Sequence, residues 1–166
     1  RHNSQANNNA IDFYVCDSTQ NNTVTSGSTH TMTLESGQVG IGTTRPGSLL
    51  DVRGPTGTGD ASAGILTLST AETTIVSGDV LGRINFQAPV EASGTDAILS
   101  GASIHALATD TFAAANNETA LVFSTASGDT EHGSATSGAL FERMRVTSAG
   151  KVGIGTTSPM NKLQLS

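Results

Sequence analysis

The sequence predicts an all-β fold of short antiparallel strands, arranged as small β-sandwich modules joined by glycine and proline turns. Glycine, serine and threonine supply more than a third of the 166 residues, whereas 13% are charged and 4% aromatic. Threonine favours strands, and glycine and serine favour turns. A 16-residue motif occurs twice. This repetition predicts an elongated chain of similar units rather than one large core.

The repeated motif defines the expected organisation. Residues 37–52 read GQVGIGTTRPGSLLDV and residues 150–165 read GKVGIGTTSPMNKLQL, which align without a gap at an offset of 113 residues. A unit of about that length is implied. Four segments are expected: the C-terminal part of one unit, a linker, a β-sandwich-like module, and a second motif that leads into a following unit. Their bounds are 1–52, 53–64, 65–148 and 149–166.

Within the first copy, strict alternation predicts a strand with two different faces. Val39 and Ile41 point one way, while Gly40 and Gly42 leave the other face bare. Glycine inside a strand marks a bend or a place where another backbone comes close. The Thr-Thr-x-Pro segment then turns the chain, because proline fixes φ. A strand resumes at residues 49–52, and at residues 162–165 in the second copy.

Further strands are expected between the motifs, at residues 65–68, 74–76, 80–88, 98–109, 120–124 and 141–146. Alternation is clearest in the third and fourth of these. In the fourth, Ala102, Ile104, Ala106 and Ala108 are expected to point inward, and Ser103, His105 and Thr109 outward. The number of strands and the frequent turns predict a small antiparallel sandwich or meander. A helix over the alanine-rich residues 106–115 is the alternative.

Composition also excludes several classes of partner. The net charge is −6, the pI is near 5.0 and the eight Lys and Arg residues are scattered, so the basic patch that nucleic-acid binding requires is missing. No apolar run approaches the roughly 20 residues of a membrane span. The single Cys16 cannot form an internal disulfide. Because the chain opens at Arg1 and closes on a strand-like segment, we expect it to be a piece of a longer polypeptide.

No catalytic, cofactor or metal site is predicted. The glycines of residues 40–45 lack both the third glycine of a dinucleotide loop and the Gly-Lys-Ser/Thr of a phosphate loop. The neighbouring Glu131 and His132 lie in a Gly/Ser/Thr-rich stretch without a third group. His30 and His105 are the residues that a threefold axis could gather around a metal ion. We interpret all of these as solvated or packed residues, and the protein as a non-enzyme.

The chain resembles a known family along most of its length. GILTLSTAETTIVSGDVLGRINFQAPVEASGTDAILSGASI (64–104) and ERMRVTSAGKVGIGTTSP (142–159) are similar to repeated modules of bacteriophage tail-fibre-like and virion structural proteins, notably of marine and cyanobacterial phages. NNNAIDFYV (7–15) and HTMTLESGQVGIGTT (30–44) resemble a companion module. The resemblance implies an intertwined homotrimer in an extracellular fibre or appendage of the virion. Its expected partners are other fibre or virion proteins and a host surface glycan or receptor.

Two other function classes remain open. A carbohydrate-binding adhesin module could use the polar loops at residues 17–30 and 124–138, although these loops lack stacking aromatics. A polysaccharide-degrading spike would need paired carboxylates across a groove, and the acidic residues are scattered. The scarcity of large apolar side chains favours assembly, because folding each residue costs about 1–2 kcal/mol of backbone entropy. We therefore expect Val39, Ile41, Val152 and Ile154 to be buried partly against other chains.

Overall fold

The computed structural model describes residues 10–15, 29–87, 99–126 and 140–166, with side chains described from residue 31 onward. This part of the chain is all-β, as the sequence predicts, and it contains one 3-10 turn at Gly59–Ser62 and no α-helix. The chain divides into two compact units, residues 1–67 and residues 68–166. Each unit contains one mixed sheet.

The sheet of the first unit has four strands in the order β1-β2-β3-β4. They span Ala10–Val15 (β1), Thr29–Glu35 (β2), Gln38–Ile41 (β3) and Leu50–Val52 (β4). The first three strands pair antiparallel, and β4 lies parallel to β3. The β2–β3 hairpin turns at Ser36 and Gly37, whose φ values of 51° and 82° give the left-handed backbone that a tight turn needs.

The sheet of the second unit has six strands in the order β10-β9-β8-β7-β6-β5. They span Val80–Gln87 (β5), Ser100–Ala108 (β6), Thr119–Ala126 (β7), Leu140–Val146 (β8), Val152–Ile154 (β9) and Leu163–Leu165 (β10). Strands β5 to β9 form an antiparallel meander, and β10 lies parallel to β9. The predicted meander is confirmed. In the described part of this unit the meander is one sheet, without the second sheet that a sandwich requires.

Two expected strands, and the helix considered as an alternative, are absent from the described residues. Residues 65–68 and 74–76 form no strand, and residues 106–115 continue β6 and then turn. The carbonyl oxygen of Ile75 accepts one hydrogen bond from the Phe112 amide, at 3.0 Å. Leu68 crosses β5 at Gly82, where its carbonyl oxygen would lie 2.5 Å from an added Cβ. These segments have strand-like sequences, but the single chain offers them no ladder to join.

The core of the chain is small. Among the described residues, the apolar side chains that are almost completely buried are Ala108, Ala120 and Val122. Two of these are alanines, which contribute little apolar area. In the same part of the chain, fourteen large apolar side chains are exposed. A single chain therefore leaves much of its apolar surface in contact with solvent, which is unusual for a stable monomer.

Candidate assembly face and polar cleft

The repeated motif forms a short crossover between two parallel strands. After β3, residues 42–49 pass over one face of the sheet, and β4 then returns beside β3; residues 155–162 do the same between β9 and β10. Gly42 and Gly155 open the crossover with the same φ of 73°. The predicted second strand of the motif is confirmed in both copies. It returns to the same sheet, because the turn folds back over the strand that precedes it.

The two crossovers are held by equivalent hydrogen bonds. The Thr43 hydroxyl accepts from the Arg45 amide at 3.2 Å, and the Thr156 hydroxyl accepts from the Ser158 amide at 3.3 Å. Further along, the Gly47 amide donates to Asp51 Oδ2 at 3.0 Å, and the Met160 amide donates to Gln164 Oε1 at 2.7 Å. A threonine hydroxyl and a side-chain oxygen on the returning strand therefore fix each loop.

The glycine in the middle of each motif strand makes room for this loop. A Cβ added to Gly40 would lie 2.5 Å from the carbonyl oxygen of Thr43, and one added to Gly153 would lie 2.5 Å from that of Thr156. The same added Cβ atoms would lie 3.5 Å from Cδ of Pro46 and 3.4 Å from Cδ of Pro159. The close backbone expected from the sequence is thus the chain's own turn.

One face of the six-stranded sheet is apolar from edge to edge. The register places two rows of apolar residues across all six strands on this face, which we call the apolar face. One row runs through Gly82, Ala106, Leu121, Val146, Val152 and Leu163. The next runs through Ile84, Ile104, Phe123, Met144, Ile154 and Leu165.

The apolar face is open to solvent in the single chain. Phe86, paired with Ala102, lies on the same face one row beyond Ile84. Six side chains of the face keep between 42% and 68% of their surface exposed: Ile84, Phe86, Leu121, Ile154, Leu163 and Leu165. They leave on the order of 500 Å² of apolar surface uncovered, which approaches the largest patch found on a typical monomer. Of the four motif residues expected to be partly covered by other chains, Ile41 and Ile154 are more than 40% exposed in one chain, and Val39 and Val152 are half-buried.

The four-stranded sheet repeats this arrangement. Its register aligns Leu34 with Val39 and Leu50, and Met32 with Ile41 and Val52. These rows correspond to Val146–Val152–Leu163 and Met144–Ile154–Leu165 of the other sheet. Ile41 and Leu50 are exposed here as well. Both units therefore present an apolar face built on the same motif.

The opposite face of the six-stranded sheet is polar and more deeply buried. Its register aligns Arg83, His105, Val122 and Arg145 in one row and Asn85, Ser103, Ser124 and Glu142 in the next. Ser103 is 2% exposed and Val122 1% exposed. In β6, the prediction of which residues share a face is confirmed. The expected direction is wrong for Ser103, which is buried, because its position on a central strand places it among longer polar side chains.

A bulge in β8 brings an ion pair onto this polar face. The register shifts between Phe123 and Ser124, so that Met144 pairs with Phe123, Glu142 pairs with Ser124, and Arg143 is the extra residue. Glu142 and Arg145 therefore share a face and form a two-pronged pair, with Arg145 Nη2 donating to Glu142 Oε2 at 2.7 Å. This hydrogen bonding raises the pKa of Arg145. Both carboxylate oxygens of Glu142 are thereby occupied.

The polar face holds a cleft of about 470 Å³. Its lining is mostly polar and comes from strands β5 to β8 with one flanking residue, Leu99: Arg83, Asn85, Leu99, Ser100, Ser103, His105, Val122, Ser124, Leu140 and Glu142. Two buried polar atoms here, Ser103 Oγ and His105 Nδ1, have no hydrogen-bond partner within the described part of the chain. Burial and the nearby charge of Arg83 lower the pKa of His105, so its imidazole is neutral at pH 7.

A comparison with protein-family models and with curated proteins found no match. The function of this chain is therefore inferred from the two faces of the sheet and from the sequence resemblance.

Most of the residues singled out in the sequence have no described side chain; His105 is described, and it lines the cleft. Cys16, Glu131 and His132 lie outside the described residues, and the side chain of His30 is not described. Within the described ranges, no three His, Cys, Asp or Glu residues are grouped as metal ligands. No helix in that part of the chain is long and apolar enough to cross a membrane.

The sequence did contain a signal for the cleft. Polar residues alternate along two successive predicted strands, Arg83 and Asn85 on one and Ser103 and His105 on the next. What was missed is that they meet on one face, where Ser103 is buried and Arg83 and Asn85 are exposed.

Proposed function

We propose that this chain is a structural module of a fibre made of identical chains, of the kind that phage particles carry for attachment to a host cell. The observation that supports this most strongly is the uncovered apolar face, present in both units. The occupant that we propose for it is the equivalent face of further copies of the chain. The number of copies, three, comes from the sequence resemblance, as do the extracellular location on a virion and the elongated shape.

The amount of apolar surface supports self-association. Six side chains of one sheet expose on the order of 500 Å², and the exposed Ile41 and Leu50 of the other unit add to it. A stable protein interface buries about 800 Å² on each partner. Covering the exposed half of Phe86 alone would contribute roughly 2 kcal/mol. An association of this size would replace the core that the single chain lacks.

The open sheet edges support the same proposal. Strands β5 and β10 end the six-stranded sheet, and β1 and β4 end the other one. Unpaired edges invite uncontrolled pairing, which natural proteins prevent by covering them. An assembly of identical chains would cover edges and apolar faces together.

Sedimentation equilibrium on the folded chain tests the proposal. We expect three times the 16.8 kDa chain mass for the wild type and for Gln87→Asp. Phe86→Asp, at the neighbouring exposed position of β5, should lower the mass because it places a charge on the apolar face. A folded wild-type chain that sediments as a monomer would contradict the proposal, and so would equal behaviour of the two variants.

A second candidate function is a carbohydrate-binding module of a surface fibre, with no enzymatic activity. The observation that favours it is the polar cleft, whose hydroxyl, amide and guanidinium groups suit a polar ligand. The two functions are compatible, because the cleft and the apolar face lie on opposite sides of one sheet.

A further inference from the structure

The polar cleft has the features of a binding site rather than of a packed sheet surface. Its volume of about 470 Å³ falls within the range of small-molecule sites. Side chains from four neighbouring strands converge on it. The strands themselves are fixed by continuous hydrogen-bonded pairing, so the lining groups are held in place before any ligand arrives.

Two unsatisfied polar atoms point to a ligand. Ser103 is 98% buried and its Oγ has no hydrogen-bond partner in the described part of the chain; neither does His105 Nδ1. A buried polar atom without a partner is costly, and the cost is recovered when a partner binds. Both residues line the cleft, so a molecule there would supply the missing partners.

The charges around the cleft indicate what sort of molecule would bind. The carboxylate of Glu142 is engaged by Arg145 through both oxygens. Arg83 has no ion-pair partner among the described residues, so its guanidinium is the one charge without a partner in the described lining. A guanidinium matches the planar geometry of a carboxylate. One anionic group on the ligand would therefore lie beside Arg83.

The remaining lining groups favour hydroxyls. Asn85, Ser103 and Ser124 form one row across three strands, and each can both donate and accept a hydrogen bond. The neutral imidazole of His105 adds one donor and one acceptor next to Arg83. A row of such groups suits a ring that carries several hydroxyls.

We propose that the cleft binds a carboxylate-bearing sugar of the hexuronic acid class, with the carboxylate on Arg83 and ring hydroxyls along Asn85, Ser103 and Ser124. This inference rests on the second candidate function and is independent of chain assembly. The cleft faces away from the apolar face, so a ligand could enter it in an assembled fibre. Apart from His105, the lining contains no aromatic ring on which a sugar could stack. We therefore expect an affinity for a single sugar in the millimolar range.

Chemical-shift titration of the isotope-labelled chain tests this with three probes. D-glucuronate carries both the carboxylate and the hydroxyls, D-glucose lacks the carboxylate, and acetate lacks the ring. We expect saturable shifts at Ser103, His105 and Ser124 with glucuronate, and at least tenfold weaker binding of the other two. Equal binding of glucose would remove the role of Arg83, equal binding of acetate would show a simple anion site, and no saturable shift would show no site. Each of these three results would overturn the proposal.

Matched variants distinguish a loss of ligand binding from a loss of folding. Arg83→Gln should weaken glucuronate binding about tenfold and leave glucose binding unchanged, whereas Ser103→Ala should weaken both. Arg143→Gln is the control, because this substitution removes the same charge from the opposite face of the sheet. There the Arg143 guanidinium donates to Thr125 and lies over the Phe141 ring. An equal loss in Arg83→Gln and Arg143→Gln would contradict the site. The sedimentation mass of each variant is measured in parallel, so a failure of the cleft can be distinguished from a failure of assembly.

Discussion

The two copies of the motif fold alike although their polar residues differ. In both, a strand, a crossover of eight residues and a parallel strand share the same register. Position 51 is an aspartate in the first copy and position 164 a glutamine in the second, yet each accepts the loop amide. Thr33 in the first copy corresponds to Arg145 in the second, each opposite the central glycine. Glycine, threonine, proline and the apolar alternation therefore define the path, while the surrounding polar residues can vary.

The largest expected effect comes from filling the glycine that the two copies share. Gly40→Ala and Gly153→Ala should each destabilise their unit by about 3 kcal/mol or more, because the new Cβ would meet a backbone oxygen that cannot move aside. Gly101→Ala is the control, since Gly101 is also in a strand but an added Cβ there lies 3.8 Å from its nearest neighbour. Chemical denaturation measures the free energy of unfolding of all three variants. Equal stability of Gly40→Ala and Gly101→Ala would show that the crossover does not need the glycine.

A smaller effect is expected from the position at which the copies differ. Gln164→Ala should cost about 1 kcal/mol, the usual contribution of one hydrogen bond. Asp51→Ala should cost slightly more, because Asp51 Oδ2 also accepts from Arg53 Nη2 at 3.1 Å in an exposed ion pair. Asp51→Gln should restore most of this loss, because glutamine accepts the equivalent amide in the second copy. Thermal unfolding of the three variants checks the prediction. If Asp51→Gln is as unstable as Asp51→Ala, the two acceptors are not interchangeable.

The smallest expected change in stability comes from the titration of His105, on the polar face of the six-stranded sheet. Burial and Arg83 lower the pKa of His105, with Arg145 acting in the same direction and Glu142 against it. The unfolded chain therefore binds this proton more readily, so stability rises with pH. The contribution of neutral His105 to the free energy of unfolding is fully present above the ordinary histidine pKa of about 6.5. It is lost as the pH falls from there through the lower pKa of the folded chain. The wild type should thus lose more stability than His105→Gln between pH 7.5 and pH 5, measured by denaturant titration; parallel curves would refute this.

Much of the fold could be predicted from the sequence, because a strict alternation of apolar and polar residues identifies a strand. The strand beginning at Val80, the strand around Ile104 and both motif strands appear where the alternation places them. The parallel return of β4 and β10 could not be predicted, since alternation defines a strand and its faces but not its neighbour. Residues 65–68 have an apolar sequence suited to a strand, yet a strand also needs a partner.

The direction of the faces was harder to predict, for a physical reason. Alternation groups Ile84 with Phe86, and Ser103 with His105, but it does not say which group is covered. The usual rule places the apolar group inside one chain, and here Ile84 and Phe86 are about half exposed. The cleft was missed for a related reason: its groups come from different strands, and the bulge at Arg143 that aligns Glu142 with Arg145 leaves no clear mark in the sequence.

If other copies of the chain cover the apolar face, as we propose, its side chains are shielded from solvent in solution, which can be measured. A soluble paramagnetic probe relaxes methyl groups that it can reach, and Ile41, Ile84 and Ile154 are each more than 40% exposed in the single chain. Val122, 1% exposed, serves as the buried reference, and Ile65, 71% exposed, as the accessible one. We expect the three isoleucines to be protected nearly as well as Val122 in the wild type and to become accessible in Phe86→Asp. Relaxation of all three close to that of Ile65 in the folded wild-type chain would contradict it.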